Sequence, residues 1–279
     1  MKIIRADCIE WMRRQPDNSV DLVLGSPPYA EKGHRYEGCR KTLKTEDWIE
    51  WMNEVTTEAV RISSGWVLWV VNGAVKNGRY LPACEGLLWN WYKAGGWSDR
   101  PCIWHKNSLP GSRNWFGNDW EFILAFKKPR SRPPFHWQRV ARPPKRRTMQ
   151  TFSHRNTRGV RNEQRSFVPN KLARPRDVIR VPVGGGHQGH PLAHENEAPF
   201  PLKLARHFIE VCSNPGDTVL DPFVGSGTTL HACEESGRIG IGIDLRQSQI
   251  ELTKKRLRDV RSQKMKREME TQESARDSE

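Results

Sequence analysis

The sequence predicts an α/β protein in which a parallel sheet is covered by helices on both faces. Apolar segments of strand length, including residues 20–24 and 66–71, alternate with segments in which apolar residues recur at helical spacing. Two predicted strands, residues 20–24 and 218–221, run into loops rich in proline or glycine. Open parallel sheets bind ligands at the carboxyl ends of their strands, so these two loops are the first candidates for a functional site.

The first part of the chain, residues 1–126, alternates predicted strands with predicted helices. Trp48, Met52 and Val55 lie on one face of a helix, and Gly65 separates that helix from the next strand. The predicted strands cover residues 3–4, 20–24, 66–71, 102–105 and 121–126, and the predicted helices cover residues 8–14, a region around 48–55, and 83–93.

The same alternation returns in residues 190–261. Leu202, Ala205 and Phe208 form the apolar face of a helix. The predicted elements that follow are a strand at 218–221, a tight loop at 225–227, a helix at 228–236, a strand at 239–244 and a helix to about residue 261. The last residues, 262–279, form a charged C-terminal tail that is either a fraying helix or unstructured.

Between these two parts, residues 127–189 have little periodicity and many prolines and arginines. Residues 121–183 hold 17 Lys and Arg against three Asp and Glu, which equals the whole formal net charge of +14. The flanking segments are nearly neutral. A charge excess concentrated in one internal segment indicates a surface for a polyanion such as DNA.

The composition argues against several other classes. No apolar run approaches the roughly 18 residues of a membrane span, so we expect no membrane association. Charged residues within the first twenty, including Lys2, Arg5 and Asp7, argue against a secretory signal, and we expect a cytoplasmic protein.

Cysteine and histidine positions do not indicate a metal site. None of the six cysteines falls in a C-x-x-C pair, so we predict neither a zinc knuckle nor disulfides. His187, His190 and His194 lie near a glycine run, which favours a loop that faces DNA or closes a pocket. Cys102 follows a proline, as a catalytic thiol can, but it precedes a different strand and is interpreted as structural.

The loop at residues 221–229, Asp-Pro-Phe-Val-Gly-Ser-Gly-Thr-Thr, lies between a predicted strand and a predicted helix. Glycines there let the backbone turn sharply and approach a ligand. Asp244 ends the next strand, about twenty residues on, where a carboxylate can bind both hydroxyls of a ribose. A dinucleotide site would add a third glycine, and an NTPase loop would add a lysine; neither is present. A nucleoside without phosphates, such as S-adenosylmethionine, fits better, and an ordinary tight turn is the alternative.

Ser26-Pro27-Pro28-Tyr29 directly follows the strand at 20–24. The amino nitrogen of cytosine or adenine is a weak nucleophile because its lone pair is delocalised into the ring. A hydroxyl and a backbone carbonyl that accept its N–H bonds would shift electron density to nitrogen and orient it. Tyr29 can stack on a base flipped out of the duplex. The alternative is that the prolines only end a strand and Tyr29 packs at the rim.

These motifs resemble the amino-group DNA methyltransferases of the beta arrangement. In that family a (Ser/Asp/Asn)-Pro-Pro-(Tyr/Phe/Trp) motif precedes the target-recognition region, and an F-x-G-x-G cofactor loop follows it. Residues 26–29, the basic segment and residues 223–227 reproduce this order. The resemblance implies a Rossmann-like, seven-stranded methyltransferase fold with a permuted chain, an antiparallel strand 7 and S-adenosyl-L-methionine as cofactor.

The resemblance also assigns functions to the parts of the chain. Residues 1–126 become the catalytic half, 127–189 the target-recognition region and 190–261 the cofactor-binding half. Asp7 resembles an acidic residue near the cofactor adenine, although it can equally be a helix N-cap. Residues 198–201, with Phe200, resemble the segment that lines the methionine side, and residues 118–122 resemble a strand flanking the target base. The predicted cofactor-binding residues are Asp7, Phe200, Asp221, Pro222, Phe223, Gly225, Gly227, Thr228 and Asp244.

We therefore predict a site-specific methyltransferase that flips a base out of double-stranded DNA. Serine at the first motif position is associated in the family with cytosine N4, and adenine N6 is the alternative target. A non-catalytic nucleic-acid-binding protein is a weaker alternative because the motif residues are intact. An RNA methyltransferase is also weaker, because the sequence shows neither the stacking aromatics on a sheet nor the appended modules typical of proteins that bind RNA. The predicted phosphate contacts are Arg130, Arg132, Arg139, Arg142, Lys145, Arg146, Arg147, Arg155 and Arg158.

Arg155, Arg158, Arg161 and Arg165 recur at spacings of three or four, which would align them on one helix face. A cognate restriction endonuclease is a candidate partner, and the protein is expected to be a monomer or a homodimer.

Overall fold

The computed structural model describes residues 1–31, 43–107, 116–143, 150–152, 165–167, 171–184, 186, 189–196 and 198–276. The strands are β1 (Lys2–Arg5), β2 (Val20–Gly25), β3 (Ser63–Val71), β4 (Ala74–Lys76), β5 (Arg79–Leu81), β6 (Trp97–Ser98), β7 (Cys102–His105), β8 (Trp120–Lys127), β9 (Gln150–Phe152), β10 (Arg165–Phe167), β11 (Val178–Arg180), β12 (Thr218–Asp221) and β13 (Ile239–Asp244). The α-helices are α1 (Cys8–Arg13), α2 (Thr45–Ile62), α3 (Ala83–Lys93), α4 (Leu202–Cys212), α5 (Thr228–Ser236) and α6 (Gln247–Arg276).

Nine of the described strands form one mixed sheet. Its order is β1-β13-β12-β2-β3-β8-β7-β11, and β6 pairs with β8 outside this path. β8 runs antiparallel to its three neighbours β3, β6 and β7, whereas the other ladders in the sheet are parallel. The path from β1 to β7 is a seven-stranded core with one antiparallel strand, which confirms the predicted Rossmann-like fold with a permuted chain.

Helices cover both faces of this sheet, as the alternation of elements predicted. On one face, α1, α2 and α3 pack on apolar side chains of the strands, with Trp48, Trp69 and Phe126 among the large buried residues. On the other face, α4 and α5 pack around Leu22 and Phe208. α6 contacts α5, β1 and β13 and completes this second layer.

The middle of the chain contributes to the sheet as well as to its surroundings. β11 pairs in parallel with β7 at the sheet edge, and Trp104 Nε1 donates to the Val181 carbonyl at 2.7 Å. β9 and β10 pair with each other as a separate antiparallel ribbon. The helix expected through Arg165 is therefore wrong, because Arg165 lies in β10; the other three arginines of that pattern fall outside the described residues.

Most predicted boundaries are met within one residue, whereas α2, β3 and α6 are longer than predicted, and β4, β5, β6, β9, β10 and β11 were not predicted. β3 begins at Ser63, upstream of Gly65, because its first residues continue the ladder with β2. α6 continues far past residue 261, to Arg276, through most of the segment predicted as a charged tail. In the described part of the chain, no helix has the length and apolarity needed to span a membrane.

Candidate active site

The two predicted loops meet where the strand order reverses. The chain runs from β12 to β13 in one direction and from β2 to β3 in the other, so the crevice between β12 and β2 is the switch point of the sheet. β12 and β2 are direct neighbours, with Val219 beside Leu22 and Leu220 beside Val23. Ser26 follows β2, and Asp221 ends β12. The sheet therefore brings both loops to its ligand-binding edge.

Gly25 allows these loops to touch. A Cβ at this position would lie 2.8 Å from Asp221 Oδ1 and 3.3 Å from Pro222 Cδ. Such distances are shorter than a packed core tolerates, so only glycine fits without a shift of one loop. The residue before Ser26 thus sets the distance between the two predicted motifs.

Hydrogen bonds hold the Ser26–Tyr29 segment from two sides. Trp48 Nε1 in α2 donates to the Pro28 carbonyl at 2.6 Å. The Tyr29 hydroxyl donates to Glu121 Oε2 in β8 at 2.5 Å. The structure therefore adds to the prediction for Tyr29 that its hydroxyl is bound to Glu121 of β8.

Glu121 belongs to a buried ion pair at the same edge. Lys106 Nζ lies 2.8 Å from Glu121 Oε1, and the two side chains are 9% and 11% exposed. Burial first, and then the negative charge of Glu121, raise the pKa of Tyr29 well above its ordinary value. The Tyr29 hydroxyl is consequently protonated, and a donor, throughout the physiological pH range.

Asn72, which follows β3, connects the end of β3 to the start of β8 by hydrogen bonds. Its amide nitrogen donates to Trp120 O at 3.0 Å and to Asn118 Oδ1 at 3.2 Å. Its amide oxygen accepts from Gly73 N at 2.9 Å. The 118–122 segment, which the resemblance placed beside the target base, borders the Ser26–Tyr29 loop through the Tyr29–Glu121 hydrogen bond.

The glycine loop has the backbone conformation that its sequence predicted. Gly225 has φ +49° and Gly227 has φ +81°, a left-handed region that favours glycine. Gly227 precedes α5, and Val224 N donates to Ile243 O at 2.8 Å, which fixes the loop to the next strand. Thr228, the first residue of α5, is buried.

Asp221 organises this loop from inside the protein. Its side chain accepts from Thr229 Oγ1 at 2.6 Å and from Phe223 N at 3.0 Å. Burial, only partly offset by these two hydrogen bonds, raises the pKa of the Asp221 carboxyl to about 7. The structure thus gives Asp221 a part in loop geometry, while Pro222 lies next to Gly25.

Asp244 and Asp7 come together at the ends of neighbouring strands. β1 pairs with β13 so that Arg5 lies beside Asp244, and Asp7 follows two residues later. Both carboxylates raise the pKa of Cys8, behind the dominant effect of burial, which takes it to about 12. Asp7 Oδ1 caps α1 by accepting from Ile9 N at 2.9 Å and Glu10 N at 3.0 Å. The N-cap role predicted for Asp7 is therefore present.

The Asp244 carboxylate already has protein donors. Oδ2 accepts from Gly225 N at 3.2 Å, and Oδ1 accepts from Arg246 N at 2.9 Å and from Arg246 Nε at 3.2 Å. Arg246 Nη2 adds a long fourth bond to Oδ2 at 3.5 Å, so the roughly four acceptor positions of the carboxylate all have protein donors, and a ribose would compete with Arg246. Arg246 is a neighbour of the predicted ribose site that the sequence did not indicate.

The two predicted phenylalanines lie on opposite faces of the sheet. Phe223 packs against Trp51 and Trp69, with ring centroids 5.6 and 5.9 Å apart. Phe200 is buried in the second core, directly before α4. The structure therefore does not bring Phe200 and Phe223 into one cluster.

A polar network from α6 supports the back of the glycine loop. Thr253 Oγ1 donates to Gly225 O at 2.7 Å, and the fully buried Arg256 donates to Ser226 O at 3.1 Å and Thr228 Oγ1 at 3.0 Å. These contacts bind the carbonyls of Gly225 and Ser226 to α6. Neither residue was predicted, since nothing in the sequence spacing links α6 to this loop.

The predicted DNA contacts divide into three groups. Arg130, Arg132 and Arg142 are exposed. Arg139 donates to Ser213 O at 2.6 Å and to Glu210 O at 3.0 Å, so its guanidinium serves the end of α4. The remaining five predicted contacts, Lys145, Arg146, Arg147, Arg155 and Arg158, lie outside the described residues.

The described residues hold no group of three or more His, Cys, Asp or Glu that is arranged to bind a metal ion. Cys102 is half-buried, and burial raises the pKa of its thiol to about 11, which argues against a nucleophilic thiolate. His190 is buried and accepts the backbone N–H of Leu192 at 3.2 Å as a helix N-cap.

Comparison with known proteins identifies relatives over most of the chain. A family model described as DNA methylase, for N6 and N4 methyltransferases, matches residues 20–255. The DNA adenine methyltransferase YhdJ of Escherichia coli (strain K12) is 27% identical over 264 residues, which cover 93% of this chain and 83% of that protein.

Two solved structures share the fold. A putative DNA modification methylase from Thermus thermophilus, complexed with S-adenosyl-L-methionine, has 28% sequence identity and a TM-score of 0.62, with 93% of each chain covered. The cytosine-N4-specific PvuII DNA methyltransferase superposes with a TM-score of 0.66, over 90% of this chain and 84% of that one. Its 17% identity shows similarity of fold alone.

Proposed function

We propose a target base for this chain, which belongs to the N6/N4 DNA methylase family and is an S-adenosylmethionine-dependent DNA methyltransferase. The proposed target atom is the exocyclic N4 of cytosine. The observation that carries the choice of base is Ser26, a neutral hydroxyl at the first position of the catalytic loop. In the resemblance described above, serine at this position goes with cytosine N4.

The cofactor is S-adenosyl-L-methionine, and the residues at the switch point fit it. Gly225 and Gly227 let the backbone approach a ligand, Asp244 offers carboxylate oxygens to a ribose, and no lysine follows the loop to bind phosphates. When bound, the cofactor supplies an electrophilic methyl group on a sulfonium. We propose that Asp7 and Asp244 hold the nucleoside end and that residues 223–228 line the rest of the site.

The Ser26 loop prepares the target amine for attack. The Ser26 hydroxyl accepts one N–H of the amine, and a backbone carbonyl accepts the other. Because the Pro28 carbonyl already accepts the Trp48 indole N–H, we assign this second acceptor to the carbonyl of Ser26 or Pro27. The two bonds orient the nitrogen lone pair toward the crevice and increase its electron density.

The substrate is proposed to be duplex DNA from which the target base is flipped into the crevice. Exposed arginines such as Arg130 and Arg132, together with the high positive charge of residues 121–183, support a backbone contact. The ring of Tyr29 is proposed to stack on the base while its hydroxyl stays bonded to Glu121. A cognate restriction endonuclease remains a predicted partner.

Adenine N6 is the second candidate target. The relative from Escherichia coli carries the name DNA adenine methyltransferase, and it aligns with almost the whole chain. The chemistry proposed for Ser26 applies to either base, since both amines donate N–H bonds.

The test uses copies of one random-sequence duplex library in which single targets are blocked. One copy is synthesised with N4-methylcytosine in place of cytosine, and a second with N6-methyladenine in place of adenine. Labelled methyl incorporation should persist in the unmodified and N6-methyladenine copies and disappear in the N4-methylcytosine copy. The opposite pattern would assign the enzyme to adenine, and incorporation into RNA but not DNA would reject the proposed substrate class.

A further inference from the structure

A fully buried arginine, Arg256 of α6, contacts the glycine loop at residues 221–229 from the protein interior. Its Nη1 donates to Ser226 O at 3.1 Å and to Thr228 Oγ1 at 3.0 Å. Its Nη2 lies 3.2 Å from His231 Nδ1 in α5. Arg256 is 0% exposed and His231 is 4% exposed. Because burying a charge is costly unless the charged group is bound to partners, these contacts indicate a constrained and specific arrangement.

The direction of the bond between Arg256 and His231 defines the state of the imidazole. A guanidinium carries only donors, so His231 Nδ1 is the acceptor, and a neutral imidazole then carries its hydrogen on Nε2. Nε2 lies 3.4 Å from Glu235 Oε1. The contact with His231 has the largest effect on Glu235 and lowers its pKa to about 2, with Arg206 adding to this effect and burial opposing it. An ionised carboxylate therefore faces the hydrogen-bearing side of a neutral His231.

Two successive carbonyls of the glycine loop are bound by α6. Arg256 binds Ser226 O, and Thr253 Oγ1 donates to Gly225 O at 2.7 Å. Because each peptide unit is planar, these two bonds fix the orientation of the two peptide planes that follow Gly225. In the preceding peptide unit, Gly225 N donates at 3.2 Å to Asp244 Oδ2, which belongs to the carboxylate proposed to bind the ribose. The side chains of α6 thus orient backbone groups that the cofactor is proposed to contact.

We propose that Arg256, oriented by a neutral His231, is a positioning residue that holds the glycine loop in the conformation that binds S-adenosylmethionine. The proposal rests on the proposed function, because it assumes that this loop contacts the cofactor. Gly225 and Gly227 have positive φ and no side chain of their own to limit the backbone. A loop that is ordered in advance loses less conformational entropy when the ligand binds, so the network should raise the affinity for the cofactor.

Protonation of His231 would oppose this arrangement. A hydrogen on Nδ1 would replace the lone pair that accepts from Arg256, and it would place a second cation beside the buried guanidinium. The His190 ring lies 6.2 Å from the His231 ring, and burial first, then the positive charges of Arg256 and His231, lower the pKa of His190. Asp259 lies 3.9 Å from His190 Nε2, and Arg206 binds Glu235. Cofactor affinity should therefore fall when His231 gains a proton.

A purely structural role predicts a different result. Arg256 also joins α6 to α5, and a residue that acted only in this way would affect stability but not the affinity of the folded protein for its cofactor. Arg261→Met is the matched control, because Arg261 of α6 binds Glu234 of α5 at 2.8 Å. We expect Arg256→Met to weaken S-adenosylmethionine binding about tenfold or more, with kcat at saturating cofactor nearly unchanged, and Arg261→Met to leave both unchanged. Calorimetric titration and steady-state kinetics measure the two quantities.

His231→Leu and His231→Asn separate the acceptor from the bulk of the side chain. His231→Leu removes the acceptor for Arg256, and we expect about fivefold weaker cofactor binding at about pH 8. His231→Asn should stay within about twofold of the wild type, because the amide oxygen of asparagine and Nδ1 of histidine are both acceptors bonded to Cγ. His207→Asn is the control and should leave the affinity unchanged, since His207 is a half-buried histidine of α4 whose ring packs against Phe208.

The pH profile adds a readout that a structural role would not change. Asparagine does not titrate, so His231→Asn keeps the acceptor at every pH. Between about pH 8 and about pH 5, where histidine side chains generally change charge, the wild-type affinity should fall about fivefold further than that of His231→Asn. Asp221, with a pKa of about 7, and the cofactor itself titrate in both proteins, so their effects cancel in this comparison.

The possible results are distinct. Wild-type affinity in Arg256→Met, a His231→Asn protein as weak as His231→Leu, or parallel pH profiles for His231→Asn and the wild type would each overturn the inference. Asp244→Asn tests the proposed ribose contact directly. A wild-type protein that binds no S-adenosylmethionine, or an Asp244→Asn protein with wild-type affinity, would reject the proposed cofactor site and the inference with it. If Arg256→Met does not fold, wild-type affinity in both His231→Leu and Thr253→Val is sufficient to overturn the inference.

Discussion

In the proposed reaction, Ser26 acts by hydrogen bonding to the target amine and forms no covalent bond. Its hydroxyl is neutral, the residue is half-buried, and the proposed mechanism does not use it as a nucleophile. Its contribution is the orientation and polarisation of an amine. The energetic effect should therefore appear in the rate of methyl transfer and not in cofactor binding.

Ser26→Ala and Tyr29→Ala should each lower the rate of methyl transfer about a hundredfold or more, while S-adenosylmethionine binding stays largely intact. The measurements are single-turnover kinetics and calorimetric titration of the cofactor. Ser64→Ala is a matched control, because Ser64 is an exposed serine in the first part of β3 that bonds Asp21 at 3.1 Å. Equal loss of cofactor binding and transfer would undercut the roles assigned to Ser26 and Tyr29.

Asp221 should make stability depend on pH in an unusual direction. Its pKa is about 7 in the folded protein against an ordinary 3.8, so the folded state binds the proton more tightly. The contribution of the Asp221 carboxyl to the free energy of unfolding is complete below about pH 4 and is lost as the pH rises through about 7. It amounts to a few kcal/mol at most. We expect Asp221→Asn to flatten the decline in melting temperature between pH 5 and 8, measured by thermal denaturation. Parallel curves for the two proteins would contradict this origin.

At the level of elements, the crevice depends on how closely the ends of β2 and β12 approach each other. Asp221 is held by Thr229 of α5, and α6 holds the other side of the same loop through Thr253 and Arg256. The catalytic loop is held by Trp48 of α2. Helices from both layers therefore position the two loops independently, and Gly25 sets the distance between them.

Gly25→Ala should separate these loops. The new Cβ would meet Asp221 Oδ1 at 2.8 Å, and we expect a loss of about 1–3 kcal/mol of folding stability together with weaker cofactor binding. Gly95→Ala is the control, because Gly95 has φ +79° with open space around it, so the strain lowers stability away from the crevice. Urea denaturation and cofactor titration measure both effects. Normal cofactor affinity in a destabilised Gly25→Ala protein would contradict the proposed contact.

The elements also show what a sequence can and cannot predict. α3, β7, β12, α5 and β13 begin and end at the predicted residues, because each has a clear apolar period bounded by turn residues. Tyr29 and Glu121 are 92 residues apart, and no period connects them. Their contact arises only because β8 inserts antiparallel between β3 and β7, which places its first residues at the carboxyl edge.

Spacing alone was insufficient in the basic segment. Arg165 follows the three-and-four pattern of a helix yet pairs in β10 with Phe152 of β9, a contact that depends on a distant partner strand. Arg139 has the same charge as its neighbours but donates to carbonyls at the end of α4. The net charge identifies the segment as basic, but it does not distinguish arginines that bind protein carbonyls from exposed arginines.

On the scale of the whole molecule, the excess of basic residues and the two predicted site motifs lie in different parts of the chain. The whole net positive charge lies in residues 121–183, whereas the motifs at 26–29 and 221–228 lie in nearly neutral segments. Part of the basic segment joins the sheet through β11, next to β7 and hence near Lys106. We interpret the segment as a surface that holds duplex DNA while the base enters the crevice.

Charge reversal at Arg146 and Arg147 should weaken DNA binding and make it less sensitive to salt. Each lost phosphate contact reduces the slope of log K against log salt by about 0.9, so the double variant should lose a slope of about 2. Lys254→Glu/Lys255→Glu is the matched control, because both lysines are exposed on α6. Fluorescence anisotropy at several salt concentrations measures the slopes. An unchanged slope in the Arg146/Arg147 variant would place the DNA surface elsewhere.

The measurement that tests the central claim most directly is mass spectrometry of nucleosides from DNA methylated by the purified protein. Unmethylated genomic DNA is incubated with S-adenosylmethionine carrying an isotope-labelled methyl group, then digested to nucleosides. We predict labelled N4-methyl-deoxycytidine, absent when the Ser26→Ala protein is used. Labelled N6-methyl-deoxyadenosine in its place would contradict the assignment of cytosine to this enzyme.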